Sequence, residues 1–316
     1  MEYLYSSSPS YNPDFSHQTK LSDISDEEFE RVWKPRKHTI YHRIYQFICF
    51  FIFLGPIRAI VGISIFVISL LTVIFIRTFQ RFAHIPLKYG KRLCNRIANF
   101  GFHFILFAFG ILHIKVNGKV DPETRIIIAN HTALMDPFIV SCVHFVTVVM
   151  KIELSYNKYL ARIFENVDPV YVDRKVSRGA SQQVIEHANN FNLNPVLIFP
   201  EATINNGDHM LHFHRGAFLT PHKVQPLCIK YNQLLVPKGW NQYAWTTTDT
   251  ALYIWELLSM PFTYVTVDLL PPMTLEKEGG GDPDKFAEYA QLVMANHFGV
   301  KAITRSSAEI FKTKKE

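Results

Sequence analysis

The stretch TRIIIANHTALMD, residues 124–136, joins a short β-branched run to a histidine and an aspartate five residues apart. The run 124–129 predicts a strand, and His131 comes directly after it. Side chains that follow a strand of a mainly parallel sheet face a cleft at the carboxyl edge of that sheet. A turn there can fold the Asp136 carboxylate back onto the imidazole, which fixes its tautomer and stabilises its protonated form. The stretch predicts a general base aimed at a hydroxyl group, with a packed or solvated histidine as the alternative.

A second motif, FPEAT at residues 199–203, also follows a predicted strand. That strand covers 196–199 and ends before Pro200, so Glu201 and Thr203 emerge at a carboxyl end as His131 does. We therefore expect both motifs to lie at one edge of the same sheet and to form one site.

Two cations are candidates for substrate binding. Arg174 ends the run Tyr171-Val172-Asp173-Arg174, and a guanidinium there suits bidentate contact with a phosphate. The alternative is a surface ion pair between Asp173 and Arg174. Arg215 follows the FPEAT motif and is a further candidate.

The sequence predicts neither a metal site nor a disulfide. Three histidines lie within residues 209–214, but only His212 and His214 would share a strand face, and no fixed carboxylate or thiolate accompanies them. The four cysteines are scattered without a C-x-x-C pair, which favours a reducing, cytosolic environment for the folded part.

From residue 115 onward the pattern predicts an α/β fold with a mixed, mainly parallel sheet flanked by helices. Predicted strands cover 124–129, 146–150, 170–172, 196–199, 224–230 and 265–270. Predicted helices cover 156–164, 178–191, 250–258 and 284–297.

The first 114 residues have a different composition. Residues 1–30 carry seven acids against one lysine and predict a disordered acidic tail, whereas 31–120 contain fourteen Lys or Arg and no acid. Within 31–114, two apolar runs at 45–57 and 59–76 meet at Gly55-Pro56 and have basic flanks. They predict a membrane-anchoring hairpin over 45–76, either re-entrant in one leaflet or a pair of short spans; two buried core helices are the alternative. Residues 97–114 predict an interfacial helix, and 301–316 a polar, basic tail.

A basic chain of this kind could suit nucleic acid, but the positive charges flank apolar runs and no nucleic-acid motif is present. We therefore expect a phospholipid membrane as the partner and no nucleic acid.

Four blocks in this order resemble the glycerophospholipid acyltransferase family. The blocks are Asn130-His131 with Asp136, Tyr171-Val172-Asp173-Arg174, Phe199-Pro200-Glu201-Ala202-Thr203 and Val224-Gln225-Pro226-Leu227. The resemblance covers about residues 115–300, which we take as the acyltransferase domain, and it implies acyl-CoA as the donor and co-substrate with no other cofactor.

The resemblance also implies roles for the motif residues. His131 would be the base for the acceptor hydroxyl and Asp136 its orienting partner. Arg174 and Glu201, with Thr203 and Arg215 nearby, would contact the acceptor. Asn130, Tyr171, Pro200 and Pro226 would form the framework of the motifs. Because no Ser or Cys stands beside a base, direct attack by the acceptor is favoured over a covalent acyl-enzyme.

The sequence departs from the family pattern at two positions where glycine is usual, namely Ala202 in the third block and Asp168 before the second. A side chain matters there if the backbone needs a positive φ. A non-catalytic, lipid-binding relative therefore stays open as an alternative, as does a hydrolase that uses His131 to activate water.

The acceptor is predicted from shorter resemblances. Residues 206–208, 215–218 and 224–226 look like the branch that acylates lysophosphatidylcholine or lysophosphatidylethanolamine. Residues 229–232 and 270–274 look like the glycerol-3-phosphate acyltransferases. We expect a lysophospholipid, with glycerol-3-phosphate or lysophosphatidic acid as alternatives. The family and the dilysine-like end at Lys312-Thr313-Lys314-Lys315-Glu316 favour the endoplasmic reticulum membrane, with the Golgi or lipid droplets as alternatives.

Overall fold

A computed structural model of the chain describes Phe15 and residues 17–35, 38–172, 179–237, 243–247 and 249–313. Its helices are α1 (Asp26–Trp33), α2 (Ile40–Ile52), α3 (Gly55–Phe82), α4 (Lys91–Ala108), α5 (Asp136–Val143), α6 (Lys158–Phe164), α7 (Gly179–Ala188), α8 (Thr250–Leu258), α9 (Leu275–Gly279), α10 (Pro283–Phe298) and α11 (Ser307–Thr313). Its strands are β1 (Ile111–Asn117), β2 (Thr124–Ala129), β3 (Thr147–Lys151), β4 (Val170–Val172), β5 (Val196–Ile198), β6 (His209–Met210), β7 (Lys223–Gln233), β8 (Thr263–Leu269) and β9 (Lys301–Ala302).

Seven strands form one sheet in the order β1-β8-β7-β2-β5-β3-β4. Neighbouring strands are parallel except for β7 and β8, which are antiparallel. The predicted α/β fold with a mixed, mainly parallel sheet is confirmed. The central strand β2 is buried along its whole length, as expected for a strand covered by helices on both faces.

Alternate residues of β2 supply two separate cores. Ile127 and Ala129 pack on one face with residues of α4, α5 and α8. Ile126 and Ile128 pack on the other face with residues of α7 and α10. This alternation follows from the two-residue period of a strand, and it places β2, with the histidine that follows it, in the middle of the domain.

The N-terminal helices differ from the predicted hairpin over 45–76. The chain does turn at Leu54, which has a left-handed φ of 56°, but α3 then continues to Phe82. The partner of α3 is α4, which runs antiparallel to it. Gly62 faces the turn of α4 at Phe104, and Gly101 faces Ser69, so closely that a Cβ at either glycine would clash. Two small residues at the contact allow this approach.

The helix predicted over 97–114 ends earlier than its predicted last residue. Helix α4 stops at Ala108, and Gly110 adopts a φ of +86° before β1 begins at Ile111. A left-handed glycine ends a helix readily because it has no Cβ. Residues 111–114 are therefore an edge of the sheet, paired with β8.

Helices α2 and α3 are polar inside and apolar outside. On α3 the inner face carries Gly62, Ser69 and two buried arginines. Arg58 donates to the Met260 carbonyl at 2.8 Å, and Arg77 donates to Asn166 Oδ1 at 2.7 Å. The outer faces of the two helices expose large apolar side chains, among them Phe47, Phe51, Ile60, Ile68 and Phe75. By length and composition α3 is able to cross a membrane.

The predicted disorder of residues 1–30 is wrong for the part of that range that the structure describes. Helix α1 buries Phe29 and Val32 against Leu211, Ile303 and Ile310. Residues 1–14 and Ser16 lie outside the described residues. The predicted polar tail over 301–316 likewise contains β9 and α11, and its last three residues lie outside the described part.

Candidate active site

The two motifs meet at one edge of the sheet, as predicted. Strands β2 and β5 are adjacent and parallel, with Ile128 paired to Ile198. His131 and Glu201 each follow the end of their strand by two or three residues. Strand β7 flanks β2 on the other side, so three strands supply side chains to the site.

His131 is paired with Asp136. Its Nδ1 lies 3.0 Å from Oδ2 of Asp136, which also accepts the backbone N–H groups of Thr132 at 2.8 Å and Ala133 at 2.9 Å. Asp136 is fully buried and is the first residue of α5, where a carboxylate is favoured by the helix dipole. Because Oδ2 is the acceptor of these bonds, Nδ1 carries the hydrogen and Nε2 is the nitrogen whose lone pair is able to take a proton.

The imidazole plane is fixed by an aromatic ring. The rings of His131 and Phe199 stack with centroids 4.0 Å apart and an interplanar angle of 17°. The His131 side chain is 18% exposed. Nε2 is therefore presented by a ring that is held on one face and at one edge, which is the geometry a general base requires.

Glu201 is buried and accepts the backbone N–H of His131. Its carboxylate is 1% exposed and accepts three hydrogen bonds, from the His131 N–H at 3.2 Å, the Leu211 N–H at 3.0 Å and Asn205 Nδ2 at 2.7 Å. Burial raises the pKa of Glu201 to about 7, although these donors oppose the rise. The carboxylate ties the loop after β5 to the backbone of His131. The acceptor contact of Glu201 stays a prediction.

The framework residues hold the strand ends together. The Asn130 side chain bonds both backbone groups of Ile229 on β7, at 3.1 Å and 2.8 Å. Pro226 lies inside β7 and pairs with Ile128 of β2. The Pro200 carbonyl accepts the His214 N–H at 2.9 Å. Tyr171 lies on β4, which is the edge strand of the sheet on the side away from β1.

The remaining predicted substrate residues are spread along the edge. Thr203 is half-buried in the loop after β5. Arg215 is 65% exposed, with Asp284 at 3.6 Å. Arg174 lies outside the described residues. Strand β4, which precedes it, is three strands from β2, a spacing of about 14 Å.

Both departures from glycine have left-handed backbones. Ala202 has a φ of 57° and Asp168 a φ of 47°. Ala202 closes a turn in which its N–H bonds the Phe199 carbonyl at 3.0 Å. Asp168 forms an ion pair with Lys91 of α4. Both residues thus keep the left-handed backbone that glycine would adopt freely, and their side chains make that backbone strained.

Several residues of the site have no motif signal in the sequence. The Tyr231 hydroxyl donates to Oδ1 of Asp136. The Tyr253 hydroxyl accepts the Leu134 N–H at 3.2 Å, and the Trp245 N–H donates to the Thr132 carbonyl at 3.1 Å. Alternation along β7 would have given one hint, because Tyr231 lies on the same strand face as Ile229.

The histidines at 209–214 are used separately. His209 contacts Glu28 at 2.9 Å, and His214 Nε2 lies 2.9 Å from the Ser307 hydroxyl. Over the described ranges, no group of three His, Cys, Asp or Glu side chains is placed to hold a metal ion.

Comparison with known proteins finds similarity to acyltransferases. Residues 113–230 match the family model described as Acyltransferase. The chain is 28% identical over 205 residues to lysophospholipid acyltransferase LPCAT4 of Homo sapiens, covering 63% of this chain and 38% of that protein. It is 29% identical over 177 residues to lysophospholipid acyltransferase LPEAT1 of Arabidopsis thaliana, covering 54% and 43%. It is 26% identical over 258 residues to glycerol-3-phosphate acyltransferase 4 of Mus musculus, covering 78% and 53%.

The chain spans about two fifths to one half of the length of these relatives. Among solved structures, the crystal structure of the 1-acyl-sn-glycerophosphate (LPA) acyltransferase PlsC from Thermotoga maritima superposes with a TM-score of 0.54 at 17% identity. The superposition covers 77% of this chain and 95% of that one, and it supports the same fold.

Proposed function

We propose that the chain transfers a fatty acyl group from acyl-CoA to the free hydroxyl of a lysophospholipid, a proposal supported by the match of residues 113–230 to the family model described as Acyltransferase. The observation that carries the proposal is the His131–Asp136 pair at the carboxyl edge of β2, with Nε2 as the basic nitrogen. The lysophospholipid acceptor is supported by the similarity to LPCAT4 and LPEAT1.

His131 takes the proton of the acceptor hydroxyl and later gives it to the leaving group. The acceptor hydroxyl gives its proton to Nε2 as its oxygen attacks the thioester carbonyl, forming a tetrahedral intermediate. The C–S bond then breaks, CoA leaves as the thiolate, and the imidazolium returns the proton to it. Asp136 stabilises the imidazolium between these steps. The acyl ester of the acceptor is the product.

We place the reaction at a membrane surface. The outward apolar faces of α2 and α3 would meet lipid, because an apolar patch of this extent is unfavourable in water. The acceptor and the acyl product are themselves lipids, so a docked domain would meet them in the bilayer. We propose the endoplasmic reticulum membrane with the domain on the cytosolic side, where the four buried thiols, all free, stay reduced.

A second acceptor class has its own support. The match to the glycerol-3-phosphate acyltransferase covers more of this chain than the matches to the lysophospholipid enzymes. Glycerol-3-phosphate would use the same His131 chemistry, with a phosphomonoester in place of the headgroup.

The test is acyl transfer from labelled oleoyl-CoA by the detergent-solubilised full chain. The acceptors are lysophosphatidylcholine, lysophosphatidylethanolamine, lysophosphatidic acid and glycerol-3-phosphate, with His131→Ala beside the wild type. His222→Ala is the matched control, because His222 precedes β7 at the opposite edge of the sheet.

A product from a lysophospholipid that is lost only in His131→Ala supports the proposal. Release of free fatty acid without ester product would identify a hydrolase. A folded protein that makes no product with any acceptor would identify a non-catalytic lipid-binding relative.

A further inference from the structure

Helix α1 contacts the loop between β5 and β6, residues 199–208, which holds the backbone of the proposed catalytic histidine, His131. Phe29 and Val32 are 4% and 1% exposed and pack on Leu211, which comes directly after β6. The helix is capped by Ser25, whose hydroxyl accepts the Glu28 N–H. This is a folded element with its own apolar contact, about a hundred residues before His131 in the chain.

The last turn of α1 is bonded to Asn206. The Asn206 N–H donates to the Val32 carbonyl at 2.9 Å, and its Nδ2 donates to the Arg31 carbonyl at 3.0 Å. Carbonyls in the last turn of a helix have no partner within the helix, so the loop caps the C-terminal end of α1. Asn206 is 3% exposed, which makes the loss of either bond costly.

The neighbouring residue, Asn205, is bonded to the site. Its N–H donates to the His131 carbonyl at 3.2 Å, and its Nδ2 donates to Oε2 of Glu201 at 2.7 Å. Glu201 in turn accepts the His131 N–H through Oε1. Both backbone groups of His131 are therefore held by residues 201–205, and the next residue of that loop is held by α1.

Further contacts fix α1 and the segment before it to the end of the domain. Glu28 contacts His209 at 2.9 Å and Lys301 at 3.1 Å. Upstream, the Gln18 side chain bonds both backbone groups of Ala302, and the Ser22 N–H donates to the same carbonyl at 2.9 Å. Residues 17–33, which we term the N-terminal clamp, are thus bonded to the domain at two places, His209 and the strand β9.

We propose that the N-terminal clamp sets the position of His131 through the 205–206 loop, and that Asn206 is a positioning residue for acyl transfer. The proposal rests on the proposed function for its kinetic readout. In the intact clamp the loop has one arrangement, and the His131 backbone follows it. With the clamp released, Asn205 loses its support and His131 shifts against the acceptor, where a displacement of 1 Å is able to cost about 100-fold in rate.

The test compares Asn206→Ala and the double variant Phe29→Ala/Val32→Ala with Ile310→Ala in the full chain. Ile310 belongs to the same buried cluster as Phe29 but, among the residues that the structure describes, makes no hydrogen bond to the 205–206 loop, so it reports the loss of packing alone. We expect kcat to fall by about tenfold or more in the first two variants, with KM changed less than twofold. Ile310→Ala should keep kcat despite a comparable fall in Tm.

Hydrogen exchange gives a second readout that does not depend on turnover. Amides of residues 130–135 should exchange faster in Asn206→Ala and keep the wild-type rate in Ile310→Ala. If the double variant fails to fold, Asn206→Ser decides with the same outcomes; it removes the Nδ2 donor to the Arg31 carbonyl and the Oδ1 acceptor of the Asp208 N–H, and it keeps a short hydroxyl. The conservative Phe29→Leu should retain the wild-type kcat.

Two results would overturn the clamp. One is an Asn206→Ala protein with wild-type kcat and wild-type exchange at 130–135. The other is a loss of kcat in Ile310→Ala equal to that in Asn206→Ala at equal Tm. If the wild type transfers no acyl group to any acceptor, the proposed function fails, and the exchange rates at 130–135 alone decide the clamp.

Discussion

Tyr231 donates its hydroxyl hydrogen to Oδ1 of Asp136, the carboxylate whose Oδ2 holds His131. Burial and the adjacent Asp136 raise the pKa of Tyr231 well above its ordinary value, so the hydroxyl stays protonated and remains a donor. Tyr231, Asp136 and His131 thus form a chain of hydrogen bonds that begins on β7.

Removing this hydroxyl should slow the reaction without weakening substrate binding. In Tyr231→Phe, Asp136 loses one donor to a charged group, a contribution of about 1.5–3 kcal/mol. We expect kcat to fall by about tenfold or more, with KM unchanged, in steady-state acyl transfer. Tyr264→Phe, on the partly exposed face of β8, is the control. A Tyr231→Phe enzyme with full kcat would mean that the three donors left on Asp136 suffice.

Restoring glycine at residue 202 should stabilise the protein. Ala202 is exposed and has a φ of 57°, so its methyl group adds strain without adding buried contact. We expect Ala202→Gly to raise the free energy of unfolding by about 1 kcal/mol, measured by denaturant unfolding. Ala202→Val should lower it. The control Ala217→Gly, at a buried residue without a positive φ, should also lower it. A destabilised Ala202→Gly protein would show that the strain reading is wrong.

The buried carboxyl of Glu201 should make stability depend on pH. Its pKa of about 7 in the folded protein lies above the ordinary value of 4.5, so the folded state binds the proton more tightly. This contribution is fully present below pH 4.5 and is lost as the pH rises to 7. It amounts to about 3 kcal/mol at most.

The measurement is the free energy of unfolding of wild type and Glu201→Gln at several pH values. The difference, wild type minus variant, should decrease from pH 4.5 to 7 and stay level above pH 7. An equal difference at every pH would mean that Glu201 keeps its ordinary pKa in the folded protein.

Charges on the outer face of α3 should weaken membrane binding. Ile60 and Ile68 are 69% and 61% exposed, and each lysine placed in the hydrocarbon region costs about 3 kcal/mol. We expect Ile60→Lys/Ile68→Lys to reduce cosedimentation of the protein with phosphatidylcholine vesicles. Phe311→Lys, on α11, is the control. Equal binding by the two variants would place the membrane contact on another surface.

The site was predictable where its residues follow strand ends. His131, Asp136 and Glu201 lie on short stretches next to β-branched runs, and parallel strands bring their ends to one edge whatever the intervening loops do. The short local spacing also allowed the His131–Asp136 bond to be predicted, because it forms within one turn and the start of α5.

What could not be predicted depends on partners that are distant in the chain. Tyr231 meets Asp136 across 95 residues, and no local pattern marks the pair. The acidic composition around α1 predicted disorder, and the prediction failed because Phe29 and Val32 are buried by residues far along the chain, namely Leu211, Ile303 and Ile310. The pairing of α3 with α4 depends on the close contacts of Gly62 and Gly101. The Gly55-Pro56 signal marked a real turn, but that turn joins α2 to α3.

The N-terminal clamp also has a consequence for biosynthesis. Residues 17–33 leave the ribosome before the surfaces that they pack against, around Ala302, Ile303 and Ile310. Helices α2, α3 and α4 are complete long before then. A nascent chain therefore completes its apolar helices before the N-terminal clamp is able to fix the loop that holds His131.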